Sequence, residues 1–158
     1  MNPKTPDDTR ALPTPHARIF TIGYEGRTKE DFLSLLIENK ISAVLDIRHR
    51  PFSRKKDFSK TPLQATLTER GIDYIHLPEL GVPPNIRERY RQEKDSDILR
   101  SFLCESLRQH GDLLMRILDS HSDGNICLLC LEKDPSCCHR AIVADYLAER
   151  HGFEVNHL

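Results

Sequence analysis

The chain has 158 residues, 38% apolar and 30% charged, with a formal net charge of −1, so it is long enough for one core and too neutral for a generic polyanion binder. Any anion site must be local, although 15 of the 23 basic residues are Arg, the better residue for bidentate phosphate or carboxylate contacts. The five cysteines (Cys104, Cys127, Cys130, Cys137 and Cys138) form an odd set with two adjacent members, a poor disulfide framework that points to a reduced, cytoplasmic protein.

Residues 1–17 hold Pro3, Pro6, Pro13 and Pro15 among polar neighbours, with no apolar leader, and are expected to be a disordered tail before a single domain over residues 18–158. No run of 18 apolar residues occurs, so no membrane partner is expected. The stretch RIFTIGY (18–24) reads as a strand, and Thr28 with Asp31 resembles a capping box opening a helix to about Asn39. AVLDIR (43–48) is the second strand. After the loop HRPFSRKKDFS, Pro62 suits the first turn of a helix that runs to about Arg70 and stops at Gly71. DYIHL (73–77) is a shorter third strand, and Pro78, Gly81, Pro83 and Pro84 then impose a loop.

Residues 86 to about 94 are so polar that they read as either a short helix or a mobile segment. Ile98, Phe102, Leu103, Leu107, Leu113, Leu114, Ile117 and Leu118 recur at helical spacing, with Gly111 as a candidate break. Asn125 to Glu132 is the fourth strand, Arg140 to about Arg150 the next helix, and Phe153 to His157 the fifth strand. This alternation predicts an α/β fold: one domain with a mostly parallel sheet of about five strands and helices on both faces. Loops after parallel strands gather at the carboxyl edge, where ligands bind. Those loops carry Tyr24, Glu25 and Arg27; Asp46, Arg48, Arg50, Ser53 and Arg54; His76, Glu79 and Gly81; and the segment CLEKDPSCCHR (130–140).

That last segment sets a thiol, an imidazole and a guanidinium where a strand gives way to a helix. The free N–H groups and partial positive charge of a helix start favour an anion, either a bound phosphate or a thiolate. Cys138 is therefore a candidate nucleophile or redox thiol, against the alternative of a small core residue. Glu132 and His139 are candidate proton carriers, and Asp46 can accept a proton or orient an arginine. Arg48, Arg54 and Arg140 are candidate anion holders, with Ser53, Gly81, Tyr24 and His76 beside them. Six Lys or Arg residues lie between Arg48 and Lys60, which suits phosphate or nucleic acid if they are not simply solvated.

Several familiar chemistries are excluded by spacing. Cys127 and Cys130 point to opposite faces of a strand, so a four-ligand zinc knuckle is not expected; a smaller site of Cys138, His139 and carboxylates stays open. Cys138 and Arg140 bracket one residue rather than the five of a cysteine phosphatase loop. There is no G-x-x-x-x-G-K-[ST] loop and no G-x-G-x-x-G turn, so no cofactor is expected.

TIGYEGR (21–27), DIRHRPFSR (46–54), YIHLPELG (74–81) and CLEKDPSCCHR (130–140) together resemble the family called domain of unknown function 488. The resemblance implies functional positions at Gly23, Tyr24, Asp46, Arg48, Pro51, Ser53, Arg54, Leu80, Gly81, Cys130, Glu132, Cys138, His139 and Arg140, without implying a substrate. The expectation is an enzyme acting on a small anionic ligand, phosphorylated or nucleotide-like. The alternatives are a non-catalytic module binding nucleic acid or phosphate, and a thiol redox protein pairing Cys130 with Cys138, or Cys137 with a partner.

Overall fold

The computed structural model describes residues 18–158; the tail expected over residues 1–17 lies outside them. Strand β1 (Ile19–Gly23) leads through α1 (Lys29–Glu38) to β2 (Ile41–Asp46), α2 (Lys60–Thr68) and β3 (Asp73–His76). Next come α3 (Pro84–Glu93), α4 (Ser96–Ser120), β4 (Asn125–Cys130), α5 (His139–His151) and β5 (Val155–His157). Single 3-10 turns at Lys56–Phe58, Pro78–Leu80 and Pro135–Cys137 precede α2, α3 and α5.

The five strands form one all-parallel sheet in the order β3-β2-β4-β1-β5. Both faces are covered, and the central strands β1, β2 and β4 carry apolar side chains toward both. Ile19, Ala43, Leu45, Ile126 and Leu128 pack under Leu103, Leu107, Leu114 and Leu118 of α4 and Val143, Ala144 and Leu147 of α5. Phe20, Ile22, Val44, Cys127 and Leu129 face the other way, onto Phe32, Leu33 and Leu36 of α1 and Leu63 and Leu67 of α2. The expected single α/β domain with helices on both faces is what forms.

Local chemistry explains the element ends. Thr28 caps α1, its hydroxyl accepting from the Asp31 N–H at 3.1 Å, and Cys138 caps α5 with its sulfur 3.4 Å from the Arg140 N–H. The polar segment is a helix after all, starting on Pro84 and ending where Lys94 adopts a left-handed φ of 51°. Gly111 is not a break. Helix α4 runs through it unbroken, and the missing side chain leaves room for the Tyr146 hydroxyl of α5, about 3.0 Å from where a Cβ would stand.

The strand order also locates a crevice. From β2 the chain moves outward to β3, whereas from β4 it moves the other way to β5, and β2 and β4 are neighbours. Their carboxyl ends therefore diverge into connections of opposite direction, the arrangement that opens a ligand crevice in α/β sheets.

Candidate functional site

Two constellations stand at this edge, on opposite sides of the sheet. The first is built on Asp46, which is fully buried. Arg48 closes back on it, with Nε 2.8 Å from Oδ1 and Nη2 2.6 Å from Oδ2, while Nη1 donates to the Phe58 carbonyl at 2.8 Å. The Tyr74 hydroxyl donates to Asp46 Oδ2 at 2.6 Å, and the Arg48 guanidinium lies 5.2 Å from the centre of the Tyr24 ring. Burial opposes the charge on Arg48, but the pairing with Asp46 outweighs it and holds the group protonated. His76 bonds the Arg48 carbonyl through Nε2 at 2.9 Å. Tyr24, Asp46, Arg48 and His76 thus come together as an interlocked set facing α1 and α2.

Ser53 and Gly81 shape this edge through backbone. The Ser59 hydroxyl receives the Ser53 N–H at 3.0 Å and donates to the Ser53 carbonyl at 3.2 Å, closing the basic loop. Gly81 lies so close to the His49 backbone that a Cβ would overlap it. Arg54 is exposed beside Arg50, Lys55 and Lys56, and Phe52 is 79% exposed among them.

The second constellation faces α4 and α5. Cys130 ends β4, Glu132 follows two residues on, and Cys138 and His139 begin α5. Their donor atoms (two Sγ, a carboxylate oxygen and a ring nitrogen) all lie within 4.8 Å of one another. Cys130 Sγ is 3.0 Å from Glu132 Oε2 and 3.5 Å from His139 Nδ1, and Cys138 Sγ is 3.8 Å from the same nitrogen. His139 Nε2 sits 3.0 Å from the carbonyl of Ile47, the residue that follows β2. A carbonyl only accepts, so Nε2 carries a proton, and Nδ1 is the nitrogen turned toward the two sulfurs.

Arg140 fixes the wall of this site. It is fully buried, and its guanidinium donates to the Thr21 hydroxyl at 3.2 Å, to the Lys133 carbonyl at 2.8 Å and to the Glu132 carbonyl. It thus holds the backbone of Glu132 rather than its carboxylate. Gly23 belongs to the same wall, since a Cβ there would overlap the Glu132 carbonyl.

The hydrogen bond shared with Cys130, together with burial, raises the Cys138 thiol above its ordinary pKa. The helix start does not offset this. Burial opposes ionisation of Glu132, yet the hydrogen bonds it receives, led by Cys130, keep its carboxyl below the usual range. Cys127 is fully buried on the opposite face, and burial alone pushes its thiol up.

Beside the cluster, α3 crosses the carboxyl edge. A cleft of about 110 Å³ lies beneath it, lined by Glu132, Cys137 and His139 on one side and by Arg87, Tyr90 and Arg91 on the other. These three α3 residues are not among those the motifs select, although the spacing 87, 90, 91 places them on one helical face. Arg54 and the Asp46–Arg48 pair do not line this cleft. A wider hollow of about 400 Å³ beside α1 gathers Arg27, Asp31, Glu38 and Lys133, charges of both signs without a thiol or an imidazole.

A family described as Domain of unknown function DUF488 matches residues 28–147. The chain belongs to this family. In this DUF488 domain the matched span runs from the cap of α1 into α5 and contains both constellations apart from Tyr24 and Gly23. No curated protein and no solved structure matches the chain. Among the described residues no helix is long and apolar enough to cross a membrane.

Proposed function

We propose that the protein is a cytoplasmic enzyme acting on a small phosphorylated or otherwise anionic, nucleotide-like substrate in the cleft beneath α3. The observation that carries this reading is the shared lining, with Arg87 and Arg91 on one wall and Glu132, Cys137 and His139 on the other, the buried Cys130 and Cys138 sulfurs lying within 4.8 Å of the Glu132 and His139 donor atoms. A cleft of about 110 Å³ takes a phosphoryl or carboxyl group, a few water volumes, and not a whole drug-sized ligand. The anionic end of the substrate enters, and the remainder stays outside. Arg87 and Arg91 hold the charge, and Glu132 and His139, which line the cleft, move protons. Arg48 and Arg140 contribute by holding the two walls in place. The five free cysteines, with Cys104 and Cys137 exposed, support the cytoplasmic placement.

Calorimetric titration with inorganic phosphate and nucleoside phosphates tests the reading. Binding that falls at least about tenfold in the double variant Arg87→Gln, Arg91→Gln, a loss of about 1.4 kcal/mol, is the expected result. Unchanged binding in that variant rejects the cleft as the anion site. A second reading, a nucleic-acid binding module, draws on Phe52 exposed among Arg50, Arg54, Lys55 and Lys56, because an aromatic within a basic loop suits base stacking. Steeply salt-dependent binding of single strands, lost in Phe52→Ala and unaffected by Cys138→Ser, would favour the module.

A further inference from the structure

We infer that Cys130, Cys138 and His139 hold a zinc-type divalent ion, with Glu132 completing its tetrahedron from the cleft side. This goes beyond the anion reading and does not depend on it, because such an ion could be bound whether or not a substrate is turned over.

The distances fit the ion. In a tetrahedral site with Zn–S of about 2.3 Å and Zn–N of about 2.0 Å, sulfur and nitrogen ligands stand roughly 3.5 Å apart. Cys130 Sγ and Cys138 Sγ are 3.5 Å and 3.8 Å from His139 Nδ1. The donors therefore already sit near the separations that an ion among them would impose. The 3.0 Å from Cys130 Sγ to Glu132 Oε2 is a hydrogen-bond length and must open by about half an ångström on binding, which the half-buried Glu132 side chain allows.

The outer partners fit as well. A ligating imidazole characteristically donates its second nitrogen to a carbonyl or carboxylate, and His139 Nε2 meets the Ile47 carbonyl at 3.0 Å. Cys138 Sγ accepts the Arg140 N–H at 3.4 Å, a bond that steadies a thiolate once formed. Two sulfurs and an imidazole select zinc over magnesium or calcium, which prefer oxygen.

Cys130, Cys138 and His139 are all buried, whereas Glu132 lines the cleft with His139. The fourth position consequently faces the cleft, where the carboxylate can yield to an incoming ligand, as catalytic sites require and closed structural sites do not. On binding, each thiol gives its proton to solvent and its sulfur lone pair to the ion. Two thiolates balance the divalent charge, and Glu132 leaves the centre at −1, facing Arg87 and Arg91.

The test uses the reduced full chain. Metal content is measured on protein purified without chelator; stripped protein is then titrated with Co²⁺, and with Zn²⁺ against a chromophoric chelator. One ion per chain, thiolate-to-cobalt charge transfer and the strong visible bands of tetrahedral cobalt are expected. Cys138→Ser should lose more zinc affinity than the roughly 10–100-fold that removing an outer partner causes. Glu132→Gln should lose less than Cys138→Ser, and Cys104→Ser nothing. A cobalt spectrum without thiolate charge transfer overturns the inference, and so does equal zinc affinity in wild type and Cys138→Ser. If the cysteine variants fail to fold, the wild-type cobalt spectrum decides alone. Metal binding without phosphate binding removes the anion reading and keeps this one; phosphate binding without metal does the reverse.

Discussion

Asp46→Asn should destabilise the protein severely without changing a residue of the Cys130–His139 cluster. The carboxylate is fully buried and receives four donors: the Arg48 N–H at 3.1 Å, Nε at 2.8 Å and Nη2 at 2.6 Å, and the Tyr74 hydroxyl at 2.6 Å. An amide keeps one acceptor oxygen and, in either orientation, turns its NH₂ group toward an Arg48 donor that cannot accept from it. Arg48, 5% exposed, would then carry an uncompensated buried charge that it cannot shed by losing a proton. Breaking a buried pair in this way costs about 3–5 kcal/mol. Equilibrium urea unfolding followed by circular dichroism should show a midpoint lower by roughly 2 M at unchanged slope. A loss below about 1 kcal/mol would refute the assignment of Asp46 as an anchor and return it to the candidates for proton transfer.

Other outcomes follow from the same packing. Gly81→Ala forces a methyl into the His49 backbone, so the variant should accumulate in insoluble form or melt well below wild type in a thermal scan. Arg140→Lys cannot reproduce a fork that reaches Thr21, Glu132 and Lys133 together, and should lose about 2–4 kcal/mol in urea unfolding despite keeping its charge. In timed alkylation read by peptide mass spectrometry, exposed Cys104 and Cys137 should be modified first and Cys127 only on unfolding. Added zinc should slow modification of Cys130 and Cys138 and leave Cys104 unchanged.

The fold and the edge at which chemistry gathers are legible in the sequence because both depend on local signals. Apolar runs too continuous for a half-exposed sheet give the buried strands, Thr28 and Asp31 give the cap of α1, and the break between Leu131 and His139 gives the loop that bears the thiols. Cys127 and Cys130 fall on opposite faces, as a strand requires. The partners of Arg48 and Arg140 are less visible. Arg140 ends largely on the backbone carbonyls of Glu132 and Lys133, and one arm of Arg48 on that of Phe58, and such acceptors have no sequence signature. Helix α3 is hidden for a related reason: it buries no residue, so no apolar stripe marks it, and Arg87, Tyr90 and Arg91 read as ordinary surface charge. Gly111 misleads because its small size serves Tyr146, a residue 35 positions further along.

The position of β4 in the sheet has a kinetic consequence. Strands β1 and β2 come early in the chain yet never pair with each other; β4 lies between them, with Ile19 opposite Ile126 and Ala43 also opposite Ile126. Until residues 125–130 arrive, two apolar strands expose open edges that can capture foreign strands. Completing the sheet requires closing loops of more than 80 residues, so folding should be slow for a chain so rich in helix. Cys130 and the start of α5 belong to that last insertion. A nascent chain therefore presents Cys130, Cys138 and His139 only when the sheet that shelters them is closing.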